Sequence, residues 1–500
     1  MPHPLCPVLH HIFRLFISGH IHILQTPLSP SSYYHINFHD PSLPHASQWN
    51  SVVIDLRNIA LVCRSWRDTV LPLLWHSICL KKYSAALTFN TFLFIHSARL
   101  KDAANGLTDG SISPPLRWIR HLKVLFHDFK PLKAMNERKK RMYDPIKLVA
   151  DVIGELQLLE FLNIGARFAE GLEGKEEMRR LLRNIDSGKL KELKKLELSL
   201  CRHSNGAAEP EPPVFSLPLG IALVLLSHRS LVTLSCQVLD LSLIESSINV
   251  DPGMQKETNS LRTLELLNVR LPSSLFPLLF TPHRCGLSEL YMASCSGYSL
   301  QAIIPLLRPS PTLSAIPIRV LVLDDWDPVL SLCLANTGTQ ERPLPSLFET
   351  SFLPLLRIAP RLEVLKLFST DGEFPMAKML DAIVSTNLTT LSINSPSRID
   401  LTALYKHLRS DRFAKLQDWG ITFLDPAIHP GRGAPTWELL ECAHWCVDNE
   451  KEISFSFDNG DDYWNASDVV QKLESTGRLI SQELFDIDWS ILLGETEQET

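Results

Sequence analysis

The segment Cys442–Ala443–His444–Trp445–Cys446 gathers two thiols and an imidazole within five residues, the donor types that hold zinc. On a helix Cys442 and Cys446 share a face. A metal site wants further ligands close by, however, and the neighbouring Trp437, Leu439, Leu440 and Trp445 point instead to the packed side of a helix. His20 and His22 stand without a nearby Cys or carboxylate and make no better site. The stretch "GLEGKEE" has the outline of a phosphate-binding loop, yet Ala169 occupies the first glycine position and Glu176 the hydroxyl position. Neither the tight turn nor the magnesium ligand is then available. The motifs G-x-S-x-G, H-E-x-x-H and G-x-G-x-x-G do not occur. These residues predict no catalytic centre, no cofactor and no metal, so the chain reads as a non-enzyme.

The elements that carry these residues follow from composition and pattern. A chain of 500 residues with 45% hydrophobic and 21% charged side chains can bury a large core. Its 10 cysteines are scattered without a C-x-x-C pair, which fits a reducing compartment, cytoplasmic or nuclear. From Val447 onward 14 Asp/Glu face 3 Lys/Arg, a local charge of −11 that leaves +5 for the first 446 residues of a chain at −6. That mild excess, even with "ERKKR" at Glu137–Arg141, is not the basic stripe of a nucleic-acid binder. No apolar run reaches the roughly 18 residues of a membrane span. The first 25 residues carry histidines and an arginine where a signal peptide needs an unbroken apolar stretch.

Internal repetition is the strongest signal. Leu-x-x-Leu-x-Leu with aliphatic substitutes recurs at Ile119/Leu122/Val124, Leu159/Leu162/Ile164, Leu193/Leu196/Leu198, Leu231/Leu234/Cys236, Leu261/Leu264/Leu266, Leu287/Leu290/Met292, Ile318/Leu321/Leu323, Leu362/Leu365/Leu367 and Leu388/Leu391/Ile393. The middle positions lie 40, 34, 38, 30, 26, 31, 44 and 26 residues apart. Each match predicts a short strand with one buried face, its first leucine entering the core from the approach turn. "SLQAIIPLLR" and "MAKMLDAIVS" have the spacing of return helices. Leu416/Trp419/Ile421 and "EISFSF" extend the series. Such units must stack to bury their apolar faces. The region resembles leucine-rich-repeat proteins of a divergent kind, with the residue that usually follows the strand clear only at Cys295. The expected fold is α/β: a small helical module followed by an irregular leucine-rich-repeat solenoid, or horseshoe.

Ahead of the repeats, "LRNIALVCRSWRDTVLPLLWHSICL" places Leu56, Ile59, Ala60, Cys63, Trp66 and Val70 on one helical arc and Arg57, Arg64 and Arg67 on another. Pro72 is expected to open a second helical segment. The structural reading is a helical hairpin capping the first repeat. The stretch "ALVCRSWRDTVLPLLW" also closely resembles the second half of the fungal-type F-box, and "LCPVLHHIFRLF" matches the first half at Leu9, Ile12, Phe13 and Phe16, with Pro7 in place of its acidic residue. Between the halves, residues 17–50 hold no Lys, Arg or Glu and read as an irregular insertion.

The resemblance implies a substrate-recognition subunit of an SCF-type, cullin–RING ubiquitin ligase. The F-box would dock on a Skp-type adaptor and so join a cullin scaffold, and the repeats would bind a protein substrate. Carried over residue by residue, the adaptor surface or its support is Leu9, Ile12, Phe13, Leu61, Val62, Trp66, Leu73 and Trp75. The alternative is a repeat scaffold without a ligase connection, its F-box remnant serving as a cap. Expected boundaries are 1–80 for the F-box-like module, 81–115 for a helical linker or cap, 116–458 for the solenoid and 459–500 for an acidic tail. For the substrate, the concave sheet face and the insertions between repeats are the candidate surfaces.

Overall fold

The computed structural model describes residues 54–104, 116, 118–126, 145–168, 180–181, 184–185, 190–202, 215–216, 228–240, 260–270, 287–293, 295, 316–324, 353–368, 376–394, 406–407, 409–423, 436–450, 452–457, 463–465, 467 and 470. The chain divides into two compact units, Met1–Leu193 and Lys194–Thr500.

In the first unit a helical stretch over 54–62 is followed by α1 (Arg64–His76), β1 (Ser77–Leu80), α2 (Tyr83–Ala104), β2 (His121–Phe126), α3 (Pro145–Gly154) and β3 (Phe161–Phe168). The strands pair in parallel in the order β1-β2-β3. Ala86, Phe89 and Leu93 of α2 are buried at spacings of three and four, and α2 packs on α3, where Leu148, Val149, Val152 and Ile153 are buried. Gly154 ends α3 against the buried Asn184, whose side-chain amide donates to the Ala150 carbonyl at 2.7 Å. A Cβ on Gly154 would stand 3.1 Å from that amide nitrogen, which is why the smallest residue sits there.

The second unit runs β4 (Lys195–Arg202), β5 (Phe215–Ser216), β6 (Thr233–Asp240), β7 (Thr263–Arg270), β8 (Glu289–Ala293), β9 (Val320–Asp324), α4 (Leu353–Leu356), β10 (Val364–Phe368), α5 (Met376–Ala382), β11 (Thr390–Asn394), β12 (Asp418–Phe423), α6 (Thr436–Asp448), β13 (Glu452–Phe457) and β14 (Tyr463–Asn465). From β4 through β6 to β13 each strand pairs in parallel with the next, β5 adds a short pairing on β6, and β14 pairs antiparallel with β13. The sheet therefore passes the boundary read at 458, because β14 finds its partner by turning back on β13.

The repeat pattern places these strands without a shift. Leu196, Leu234, Leu264, Leu290, Leu321, Leu365, Leu391, Trp419 and Ile453 stand in one cross-strand row. Leu198, Cys236, Leu266, Met292, Leu323, Leu367, Ile393, Ile421 and Phe455 form the next. Those of both rows from Leu196 to Leu391 are buried, as are Leu122, Val124, Leu162 and Ile164 in the first unit. Unequal linkers leave the register unchanged because a longer loop costs only a little more closure entropy.

A backbone ladder enforces the same register at the strand entrances. The Lys194 carbonyl accepts from Val232 N–H at 2.7 Å and Thr233 N–H at 3.0 Å, and Val232, Arg262, Ser288, Arg319 and Glu363 repeat this double acceptance on the following strand. Arg120 does the same for Glu160 and Phe161 within the first unit. Each entrance thus pairs backbone groups that no within-strand ladder would satisfy. Side chains add local closures. The buried Cys295 thiol donates to the Leu266 carbonyl at 3.3 Å, and the buried Ser385 hydroxyl lies 2.6 Å from the Leu362 carbonyl while accepting from Asn387 N–H at 3.2 Å.

Of the two stretches expected as return helices, α5 lies within "MAKMLDAIVS". "SLQAIIPLLR" lies outside the described residues.

Candidate interaction surface

The hairpin differs from the single arc expected over Leu56–Val70. Cys63 is extended, with φ −160° and ψ 167°, and α1 starts after it without a side-chain cap. Two helical stretches therefore meet at Cys63, which is exposed and not on a buried arc. Pro72 lies inside α1 and does not open a helix. The reason is packing: the break lets Leu56 and Val70 bury against each other, with Ile59, Ala60, Trp66, Leu73 and Leu74 around them.

The structure divides the expected adaptor residues into three groups. Trp66 and Leu73 support the Leu56/Val70 cluster. Trp75 stacks on Phe92 of α2 at 4.9 Å and 12° and on Phe89 at 6.5 Å. Leu61 and Val62 are 84% and 63% exposed, and Ile54, about two helical turns before them, is exposed as well. Arg57, Arg64 and Arg67 are exposed nearby in the chain. Leu9, Ile12 and Phe13 lie outside the described residues, as do His20, His22, residues 17–50, "ERKKR" and "GLEGKEE".

Trp75 has a second role that the motif search missed. β1 pairs with β2 so that Ile78 faces Leu122 and Leu80 faces Val124. Trp75-x-x-Ile78-x-Leu80 therefore occupies the repeat pattern itself, with tryptophan in the first leucine's place. The His76 carbonyl completes the correspondence by accepting from Arg120 N–H at 3.0 Å.

The sheet face opposite the leucine rows of the second unit is one of the candidate substrate surfaces. Its centre is closed. In β9, Val320, Leu321, Val322 and Leu323 are all buried, so both faces of that strand are covered, and Ser235, Glu265 and Lys366 in the same outer rows are buried too. The signal was available in "VLVL", an apolar run of the kind a strand buried on both faces shows.

The flanks of this face are polar. Arg319 Nη2 meets Glu289 Oε1 at 2.9 Å, its Nε lies 3.4 Å from Glu363 Oε2, and Thr263 Oγ1 donates to Glu289 Oε2 at 3.1 Å, linking β7 through β10. Burial holds the Tyr291 phenol well above its usual range, and the carboxylates of Glu289 and Glu265 push it further while Arg319 opposes them. In the leucine row of β6, the Cys236 thiol is pushed up to about 12, chiefly by burial and then by Glu265. Tyr291 and Cys236 are thus protonated groups, with no nucleophilic thiolate at Cys236.

On the first unit's sheet, His76 and His121 flank Ser77. The Ser77 hydroxyl lies 3.3 Å from His76 Nδ1 and 3.1 Å from His121 Nδ1, and the two rings meet edge to face at 4.6 Å. Burial lowers the His121 pKa to about 4, and His76 and Lys123 act in the same direction while Glu160 opposes them. These histidines carry no sequence motif; only the pairing of β1 with β2 brings His76, at the end of α1, to His121 on β2.

Cys442 and Cys446 are fully buried on one side of α6, with His444 half-buried beside them. Among the described residues no group of three or more His, Cys, Asp or Glu is placed to hold a metal ion, and no helix is long and apolar enough to cross a membrane.

The parallel register and buried leucine rows define a repeat protein with helices between its strands. No protein-family model matches the chain, and no curated protein matches it. Among solved structures, the crystal structure of a TLR13–ssRNA13 complex is similar at 14% identity and a TM-score of 0.22, over 61% of this chain and 48% of that one. The chain thus spans about half the length of that neighbour. The repeat assignment rests on strand register and burial, not on this likeness.

Proposed function

We propose that the chain is a partner-binding repeat protein and, more finely, the substrate-recognition subunit of an SCF-type ubiquitin ligase. In this reading the hairpin docks on a Skp-type adaptor, which bridges to a cullin, and the repeats hold a protein substrate. The observation that carries it is the exposure of Leu61 and Val62 within the F-box-like sequence, directly ahead of the first repeat strand. Two large apolar side chains held in water beside arginines are the kind of anchor that a helix-binding partner covers.

The test is co-purification of adaptor and cullin with the tagged full-length chain. Leu61→Asp combined with Val62→Asp leaves the hairpin core in place, since neither residue is buried. Loss of adaptor with this variant is expected; undiminished recovery sinks the assignment. Trp66→Ala with Phe13→Ala is a weaker probe, because Trp66 also supports the hairpin cluster.

The second reading is a binding scaffold with no ligase connection, its hairpin acting as a cap. It is favoured by the direct run of α1 into β1 and by Trp75 heading the first repeat. Co-purification of other proteins without adaptor or cullin would select it.

A further inference from the structure

The outer side of α2 carries an apolar face that neither reading uses. Leu87, Phe94 and Ile95 are 45%, 69% and 45% exposed, and their i, i+7, i+8 spacing sets them on one side of the helix, across from the buried Ala86, Phe89 and Leu93. The exposed Thr88 and Thr91 share that side, and their hydroxyls donate to the Ser84 and Leu87 carbonyls one turn back, each at 3.0 Å. No Asp, Glu, Lys or Arg occurs from Tyr83 to Ala98. The face therefore offers an approaching group neither a charge nor an outward hydroxyl proton.

Other helices between the strands are built differently. α3 carries the exposed Lys147 and the Asp151–Arg180 ion pair, and α5 carries the exposed Lys378 and Asp381. Polar outer residues are what a solvated helix shows, whereas a helix apolar on every side is one that becomes covered on every side. In α2 only one side is covered.

The charge beside this face is positive. Exposed Lys81 and Lys82 stand immediately before α2, whose first turn has no acidic residue to balance them. At the far end the sequence has Arg99 and Lys101 against Asp102. A partner covering the face meets the two lysines at its edge, so carboxylates there are favoured and ammonium groups are disfavoured.

Two other occupants match these features less well. Leu87, Phe94 and Ile95 together expose on the order of 300 Å², against roughly 800 Å² per partner in a stable dimer interface. A second copy would also bring Lys81 and Lys82 onto their own counterparts or onto the end with Arg99 and Lys101. An anionic membrane calls for basic residues along the polar side of the helix, and from Tyr83 to Ala98 there are none.

We propose that the outer face of α2 docks an amphipathic helix of a partner protein, with its apolar side on Leu87, Phe94 and Ile95 and its carboxylates beside Lys81 and Lys82. The proposal rests on the partner-binding reading of the chain and does not involve Leu61 or Val62, so failed adaptor co-purification leaves it standing.

The probe is a fluorescein-labelled helical peptide with Leu on one side, Ala elsewhere and Glu gathered at one end, titrated into the full-length chain and read by anisotropy. Binding is expected to saturate and to weaken as salt rises. Phe94→Gln is expected to weaken it about tenfold and Phe94→Leu to retain most of it, as for an apolar anchor. Lys81→Gln with Lys82→Gln is expected to weaken it about threefold. Val384→Gln, at an exposed apolar residue of the second unit, is expected to leave it unchanged. In the unsubstituted chain, saturating peptide is expected to slow hydrogen exchange across Leu87–Ile95. Unchanged exchange there overturns the proposal without any variant. So does equally tight binding of the same peptide with Lys in place of Glu, a dimer in sedimentation that Phe94→Gln dissolves, or phosphatidylserine vesicles that bind the chain through Phe94 when the peptide does not.

Discussion

The hairpin of residues 54–76 and the repeat strands are rich in the same aliphatic residues but place them differently. Along β6 to β11 the first two repeat leucines are buried almost without exception, with Leu287 half-buried, because each strand covers its neighbour's apolar face. Among the hairpin's described side chains only Leu56 and Val70 are fully buried, while Leu61 and Val62 stand in solvent. A two-helix element has one contact line and cannot cover both sides of its helices. A stacked repeat has a neighbour on each side. Apolar residues in the repeats therefore hold the fold together, whereas those on the hairpin's outer side contribute no burial to it.

The sharpest way to break this comparison is to truncate one leucine in each region. Leu365→Ala removes a fully buried side chain and is expected to cost roughly 2–5 kcal/mol, seen as a lower denaturation midpoint. Leu61→Ala is expected to change stability by no more than about 0.5 kcal/mol while lowering adaptor recovery. Similar stability losses for both would show that Leu61 belongs to a core.

A smaller effect is expected in the first unit on acidification. An unfolded histidine titrates near 6.5, whereas His121 in the fold titrates at about 4. Between these values the unfolded chain binds more protons, so stability is complete above pH 6.5 and falls as pH drops towards 4. The full loss is about 2–3 kcal/mol after allowing for partial exposure. Hydrogen exchange at β2 amides across this window measures it, and His121→Phe is expected to flatten the dependence. A further small effect concerns the second unit's polar flank. Arg319→Ala breaks two ion pairs at a half-exposed side chain and is expected to cost at most about 1 kcal/mol, diminishing as salt is added.

Much of the repeat sheet was legible because its signal is periodic and local. Leu290 and Met292, or Leu365 and Leu367, declare a strand with one buried face whatever the loop length beside them. The first repeat was hidden because Trp75 replaces a leucine and sits in a helix, so its spacing was absorbed into the F-box-like motif. The break at Cys63 was hidden for the opposite reason. Apolar spacing runs through it in phase, and no capping residue, glycine or proline marks it.

The candidate surfaces were less legible than the fold. Leu61 and Val62 belong to the F-box-like motif, and their exposure separates them from Trp66, Leu73 and Trp75, which the same motif does not distinguish. His76 and His121 lie 45 positions apart and share no motif, so only strand pairing brings their rings to 4.6 Å.

The sequence by itself determined most of the repeat strands, their inward residues and the order in which they come, because alternation and the three-residue approach are written within each repeat. Tertiary structure alone decided which outward residues are covered, where the hairpin bends and which polar groups meet across strands. Those outcomes depend on contacts between segments tens of residues apart, whose free energies no local pattern encodes.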